Sequence, residues 1–240
     1  MFFSYEIFDE NDGGKRILGR KIKDYKMIIF DVDGTLYFQR TLRVSILGDL
    51  AAYHLLHFWR VRDLIILWRF RSMRSRSEFI YGIHESLENE QYEQVANNLK
   101  IPIQRVKEVV EKWIYRHPLQ YIKKNADRRL LSFIKGMDCK KCAFFSDYPA
   151  RSKLLQLGIE SSYIYTSTQK EINALKPNPE GILYILAEMG MAKADCIMIG
   201  DRDDRDGECA RRAGIDYLIL SSKRKERERQ YMNWHILNRK

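Results

Sequence analysis

The sequence predicts an α/β protein: a doubly wound parallel sheet (a Rossmann-like core) with an α-helical segment inserted after its first core strand. Three observations carry that prediction. Short apolar runs recur and end on a carboxylate or a glycine, as in Met27-Ile28-Ile29-Phe30 before Asp31 and Cys196-Ile197-Met198-Ile199-Gly200 before Asp201. Segments of helical spacing separate these runs, several of them closed by a glycine. A long stretch over 42–116 has helical patterning with few glycines or prolines. Short apolar runs bounded by turn signals read as buried strands. Strands that alternate with helices argue a parallel sheet covered on both faces.

The elements follow in order. Residues 1–26 are polar and carry the turn signal Asp12-Gly13-Gly14, read as a leader or a peripheral strand pair. The first core strand is 27–30. In the helical stretch Ile103, Val106, Val109, Val110, Trp113 and Ile114 recur at helical spacing, and 77–84 suggests another helix. Pro102 suits an early helical position and Pro118 a stop. The α/β pattern then resumes with a helix over 125–135, a strand over 142–146, a helix over 149–157 and a short strand over 162–166. It continues with a helix over 179–189, a strand over 196–200, a helix over 206–213 and a last strand over 217–220, the helices closing at Gly136, Gly158, Gly190 and Gly214. The division expected is a core of 1–38 and 120–240 with a helical cap of 39–119.

Composition bounds the reading. With 240 residues and 45% apolar content the chain suits one large domain or a core with an insert, and the composition argues against wholesale disorder. Forty-two Lys and Arg against 32 Asp and Glu give a net charge of +10. That excess favours acidic partners, among them phosphorylated metabolites, nucleic acid and anionic lipid, without choosing between them. The opening Met1-Phe2-Phe3-Ser4-Tyr5-Glu6 lacks the basic-then-apolar order of a secretory signal. No apolar stretch approaches the length of a bilayer span. Cysteines stand at 139, 142, 196 and 209, and a reducing, cytoplasmic setting is the expectation. Cys139 and Cys142 form a C-x-x-C without the second ligand pair that zinc needs. The lysines between them leave a redox role open. The histidines have no metal-ligand spacing.

The chemistry is concentrated in a few places. Alternation along a strand would send Asp31 and Asp33 to the same side, at a strand end, where open α/β sheets bind ligands. Two carboxylates ~4 Å apart at an effective dielectric near 20 repel by roughly 4 kcal/mol. A fold tolerates this when a cation or a shared proton offsets it, although Asp-Gly is also a common turn pair. Further polar groups follow later strands: Ser146-Asp147, Lys176 before Pro177, Asp201, and Asp206 within a charged run. Each alone is an ordinary turn, cap or loop residue. Their order on successive strand–helix units raises them together.

Taken as a set, Asp31-Val32-Asp33-Gly34-Thr35, Ser146, Lys176 and Gly200-Asp201 with Asp206 resemble the four motifs of the haloacid dehalogenase-like (HAD) superfamily. The helical insertion resembles its helical-cap class. The resemblance implies an Mg²⁺-dependent phosphatase of a small phosphorylated metabolite, such as a sugar phosphate or 2-phosphoglycolate. Asp31 would be the nucleophile that forms an aspartyl-phosphate. Asp33 would act as general acid and then general base. Asp31, Asp201 and the backbone carbonyl of Asp33 would hold Mg²⁺, with Asp206 behind them steadying a bound water or Lys176. Ser146, Asp147, Gly34, Thr35 and Lys176 would bind phosphate. Charge supports a metal independently, because carboxylates gathered around a phosphate of about −1.5 to −2 charges need cations. Asp33 favours phosphoryl transfer over dehalogenation, since a departing halide needs no acid. A phosphomutase, a phosphatase of a membrane-linked phosphate, and a catalytically silent binding protein on the same fold remain alternatives.

Two basic segments stand apart. Over 57–76, arginines at 60, 62, 69, 71, 74 and 76 alternate with Phe58, Trp59, Trp68 and Phe70. This reads as an amphipathic helix packed inward, as a membrane-surface helix, or as a rim that guides an anionic substrate. The run over 221–230 reads as a solvated helix face or a disordered end. No nucleic-acid-binding module is recognisable. Oligomeric state is left open.

Overall fold

Strands buried on both faces need apolar residues throughout, and this chain supplies them. The computed structural model describes residues 16–17, 22–138 and 141–233; Asp12-Gly13-Gly14, Cys139 and His235 lie outside the described residues. Strands β1 (Arg16–Ile17), β2 (Met27–Phe30), β3 (Cys142–Ser146), β4 (Ile164–Thr166), β5 (Cys196–Gly200) and β6 (Asp216–Ile219) form one sheet in the order β1-β6-β5-β2-β3-β4. β2 to β6 run parallel, and β1 lies antiparallel on β6. The predicted strands 27–30, 142–146 and 196–200 appear at those bounds, each buried along its whole length.

Alternation divides the core. Ile28 and Phe30 of β2 pack toward the inserted helices, while Met27 and Ile29 pack toward the opposite face. Between β2 and β3 the chain forms α1 (Gln39–Leu56), α2 (Arg62–Met73), α3 (Ser77–Ile80), α4 (Leu87–Leu99), α5 (Ile103–Val110), a wide π-helical turn at Glu111–Arg116, and α6 (Leu119–Ile122). Leu42, Ile46 and Leu50 of α1, Ile66 and Phe70 of α2, and Val106, Val109 and Val110 of α5 supply the buried stripe. Burial of each such side chain contributes about 1.5–3 kcal/mol. α7 (Arg128–Lys135) leads into β3, α8 (Arg151–Gln156) follows it, and α9 (Glu180–Glu188) precedes β5. α10 (Glu208–Ala213) precedes β6, and α11 (Arg224–Asn233) ends the described chain.

Local chemistry moves several expected boundaries. The helix expected over 77–84 stops at Ile80, because His84 is held in a turn by Glu90 and the Phe79 carbonyl at 2.6 and 2.7 Å. Pro118 follows the end of the π-helical turn, as expected, and also opens α6; a helix start has no use for the missing N–H. α7 begins at Arg128 because Asp127 caps it, its side chain accepting from Leu130 N at 3.1 Å.

The largest departure is the tail. The charge run expected to be solvated forms α11, and its Arg227 is fully buried. Arg227 donates to the carbonyls of Gly34 and Thr35 at 2.8 and 2.7 Å and to Ser221 O at 2.6 Å, and it pairs with Asp127 at 3.3 Å. Tyr231 donates to the same Asp127 at 2.7 Å. α11 therefore clamps the loop that leaves β2. Removing one member of a buried ion pair strands the other. Arg227→Met should lower unfolding free energy by about 3–5 kcal/mol in a urea titration, and a loss under about 1 kcal/mol, the worth of a surface pair, would contradict the clamp.

Candidate active site

The chain runs outward from β2 through β3 to β4, then returns to β5 on the other side of β2. A crevice opens at the carboxyl ends of strands where an open sheet reverses direction in this way. β2 delivers Asp31 and Asp33 there, and β3 delivers Ser146 and Asp147. The loop after β4 delivers Lys176, and β5 delivers Asp201. Asp206 arrives through a second π-helical turn, Asp203–Gly207, where a helix had been expected to begin at Asp206. Asp31, Asp33, Asp147, Lys176, Asp201 and Asp206 line one cavity of about 380 Å³. A more open groove of about 740 Å³ on the outside of the helical insert contains none of them.

The nucleophile candidate is locked in place. Asp31 N donates to Ile199 O at 2.9 Å as the β2–β5 ladder ends. Its carboxylate accepts from Thr35 Oγ1 at 2.8 Å and from Lys176 Nζ at 2.5 Å. Lys176 Nζ also donates to Asp206 Oδ1 at 2.6 Å. Gly34 has φ +102, and a Cβ there would fall on the Asp201 carboxylate; a Cβ at Gly200 would fall on Asp206. Two glycines thus let four carboxylates crowd one strand-end crevice.

Electrostatics shows what the crowding costs. Burial, followed by the charge of Asp206, holds the Asp31 carboxyl well above the usual carboxylate range, and Lys176 offsets this only in part. Burial and Asp206 push Asp201 up to about 7. Burial acts to lower Lys176, but Asp206 and Asp31 outweigh it and keep the ammonium charged. Asp31, Asp201 and Asp206 each offer an oxygen, all within 4.8 Å of one another. Three carboxylates against one ammonium leave negative charge unbalanced. An oxygen-only donor set of that charge fits a hard divalent cation such as Mg²⁺.

Asp33 belongs to a separate arrangement. Lys153 Nζ, from α8, lies 2.6 and 2.7 Å from its two oxygens. Ser146 Oγ donates to it at 2.8 Å, and so does the Tyr37 hydroxyl. Burial acts to raise the Asp33 carboxyl, but the charge and hydrogen bonds of Lys153, with those of Tyr37 and Ser146, bring it below the usual range. Sequence reasoning missed Lys153. One lysine seven places past Ser146 has no local signal among 42 basic residues.

The residues assigned to phosphate are placed unevenly. Lys176 and Asp147 line the cavity, while Gly34, Thr35 and Ser146 stand outside its lining. The hydroxyls of Thr35 and Ser146 are committed to Asp31 and Asp33. Asp147 is committed too, accepting from Ser167 Oγ at 2.5 Å and Lys176 N at 3.1 Å. These side chains hold the aspartates and Lys176 in position.

The insert supplies the opposite wall. Arg74, buried beyond the end of α2, donates to Asp147 O at 2.6 Å and to Gln91, with its guanidinium 4.4 Å from the Tyr148 ring centre. Arg205 ties the two sides further, donating to the backbone carbonyls of Lys176 and Arg74. Arg43 and Arg71 also line the wall. Neither forms an ion pair among the described residues, and both are exposed to the opening.

A family model for haloacid dehalogenase-like hydrolases matches residues 25–214. Among solved structures, the 2-haloacid dehalogenase of Pseudomonas syringae pv. Tomato DC3000 is similar with a TM-score of 0.53 at 14% identity, over 80% of this chain and 85% of that one. The magnesium-bound YfnB of Bacillus subtilis gives 0.54 at 15% identity, over 88% and 99%. The HAD phosphatase of Thermococcus onnurineus gives 0.50 at 18% identity, over 82% and 86%. At such identities the likeness shows the fold alone. No curated protein sequence matched. The motif aspartates, the strand order and the family match agree: this chain belongs to the haloacid dehalogenase-like hydrolases.

Proposed function

We propose that this hydrolase is an Mg²⁺-dependent phosphatase of a small phosphorylated metabolite, working through an aspartyl-phosphate on Asp31. The observation that supports it is the second aspartate. Asp33 shares the cavity with Asp31 yet is held apart from the acidic cluster by Lys153, Tyr37 and Ser146. A partly buried carboxyl with its own cation and donors beside a nucleophile suits proton transfer to a leaving alcohol. In this reading the core (1–38 and 120–240) carries the chemistry. The cap (39–119) closes the wall with Arg43, Arg71 and Arg74, which suit a substrate bearing a second negative group.

Asp31 attacks phosphorus, an O–P bond forms, and the bond to the leaving oxygen breaks as Asp33 gives that oxygen its proton. Asp33, now ionised, takes a proton from the water that attacks the aspartyl-phosphate, which releases phosphate and restores Asp31. The charge of the phosphoryl group beside Asp33 raises its carboxyl again, which lets an acid depressed by Lys153 carry a proton at the moment of transfer. Lys176 steadies Asp31 throughout from its place between Asp31 and Asp206. Asp31 and Asp201, backed by Asp206, would hold Mg²⁺, whose chemistry when bound is to neutralise the carboxylates and polarise the phosphoryl oxygens.

Hydrolysis of an aryl or alkyl phosphate with and without Mg²⁺ tests the assignment. Asp33→Asn should lose about 10²–10⁴-fold in alkyl phosphate turnover while still binding Mg²⁺, and undiminished turnover would remove the acid–base role. Lys153→Met leaves burial to dominate at Asp33, so the limb of the pH–rate profile governed by Asp33 should move up by about one unit or more; an unmoved limb would contradict the pairing.

Metal affinity should also depend on pH. A cation binds the ionised carboxylates, and Asp201 keeps its proton up to about 7. Protons on Asp201 therefore compete below that point, and the raised Asp31 carboxyl adds to the competition. Calorimetric titration should find Mg²⁺ bound about tenfold more tightly one unit above this value than one unit below, and a pH-independent affinity would contradict the raised carboxyl.

A further inference from the structure

We propose that the outer face of the cap between Leu55 and Trp68 docks on an anionic lipid bilayer surface. Of the 14 large apolar side chains exposed among the described residues, eight fall in this short stretch; Leu55, Phe58, Trp59 and Trp68 are 82%, 73%, 63% and 60% exposed. They are not displaced core residues. α2 already buries Ile66, Leu67 and Phe70 on its inner side, while Val61, Ile65 and Trp68 form a second apolar stripe that faces outward. The inward-packed helix expected from the sequence is therefore present, with an apolar outer face in addition. Contiguous exposed apolar surface of this kind marks an interaction site.

Charge identifies the occupant. Arg60 and Arg62 are exposed among these residues, and the Arg69 guanidinium lies 5.0 Å from the Trp68 ring centre. Between 55 and 76 Asp63 is the sole acidic residue, and it is buried and paired with Arg105 of α5. The outward charge of the stretch is thus uniformly positive. A two-fold contact with a second copy would set this patch against itself and oppose arginine to arginine. An anionic headgroup layer has the opposite charge, and Trp, Phe and Leu interleaved with Arg are what an interface-lying segment presents to it. No described helix is long and apolar enough to cross a membrane, so the cap would lie on the bilayer. α2 carries the patch on its first turns and leads to Arg71 and Arg74 of the cavity wall. Docking would hold the cavity within about one helix length, ~18 Å, of the lipid. The inference stands on the patch itself and is independent of the phosphatase reading.

The test is flotation of the full chain with phosphatidylcholine vesicles, with and without phosphatidylglycerol, at low and high salt. We expect binding to the anionic vesicles that is at least tenfold tighter than to phosphatidylcholine alone and is weakened by salt. A Phe58→Ser/Trp59→Ser/Trp68→Ser variant should lose at least tenfold in vesicle affinity, and Arg60→Gln/Arg62→Gln should lose several-fold. All these side chains are exposed, so the melting temperature and Mg²⁺ affinity should hold and report that the fold is intact. Absence of flotation with anionic vesicles at low salt would overturn the proposal, as would flotation indifferent to the aromatic variant. A dimer in sedimentation equilibrium that dissolves in the aromatic variant would assign the face to a second copy instead.

Discussion

The ion pair that ties Lys176 to Asp31 and Asp206 is the constraint on which the site rests. A parallel sheet that reverses direction at β2 gathers carboxylates from distant parts of the chain into one poorly solvated crevice. Left alone they would repel and take up protons. Lys176, reaching in from the loop after β4, removes part of that repulsion and fixes two of the four carboxylates at once. Thr35 holds the other oxygen of Asp31. Behind this layer, Arg227 grips the carbonyls of Gly34 and Thr35, so the loop that presents Asp33 is anchored by a helix from the far end of the chain.

The same residue type meets opposite environments a few residues apart. Asp31 and Asp201 lie in an acidic, buried cluster and are raised; Asp33 faces Lys153 and is lowered. Environments that push paired carboxyls apart are how one site obtains both a nucleophile with its cation and a proton carrier. The division is physical rather than positional. Thr35 and Lys176 face the cluster, Ser146 and Tyr37 face Asp33, and Asp147 accepts from Ser167 and the backbone of Lys176.

Much of this was legible in the sequence, for identifiable reasons. β2, β3 and β5 are short apolar runs with abrupt polar ends, which declares both a strand and the place where its functional residue emerges. Asp31, Asp33, Lys176, Asp201 and Asp206 could be named because each stands in such a place. What escaped depends on contacts across the chain. Lys153 looks like any other lysine until the fold sets it against Asp33, 120 residues away. Arg227 sits in a run so charged that solvation was the natural reading, and only the carbonyls and Asp127 waiting for it explain its burial. Thr35 and Ser146 were assigned to phosphate by resemblance, and nothing in the sequence showed that their hydroxyls donate to Asp31 and Asp33. The second apolar face of α2 was hidden because helical spacing reveals that a stripe exists, not that its opposite side is apolar as well.

The central claim of the proposal is that Asp31 becomes transiently phosphorylated in this acidic pocket. Acid quenching during turnover of an aryl phosphate with Mg²⁺, followed by mass analysis of the peptides, tests it most directly. The account predicts a phosphoryl group on the peptide that carries Asp31, absent when the metal is withheld and absent in Asp31→Asn. Steady turnover with Asp31 never modified, or a phosphoryl group found on another residue, would contradict it.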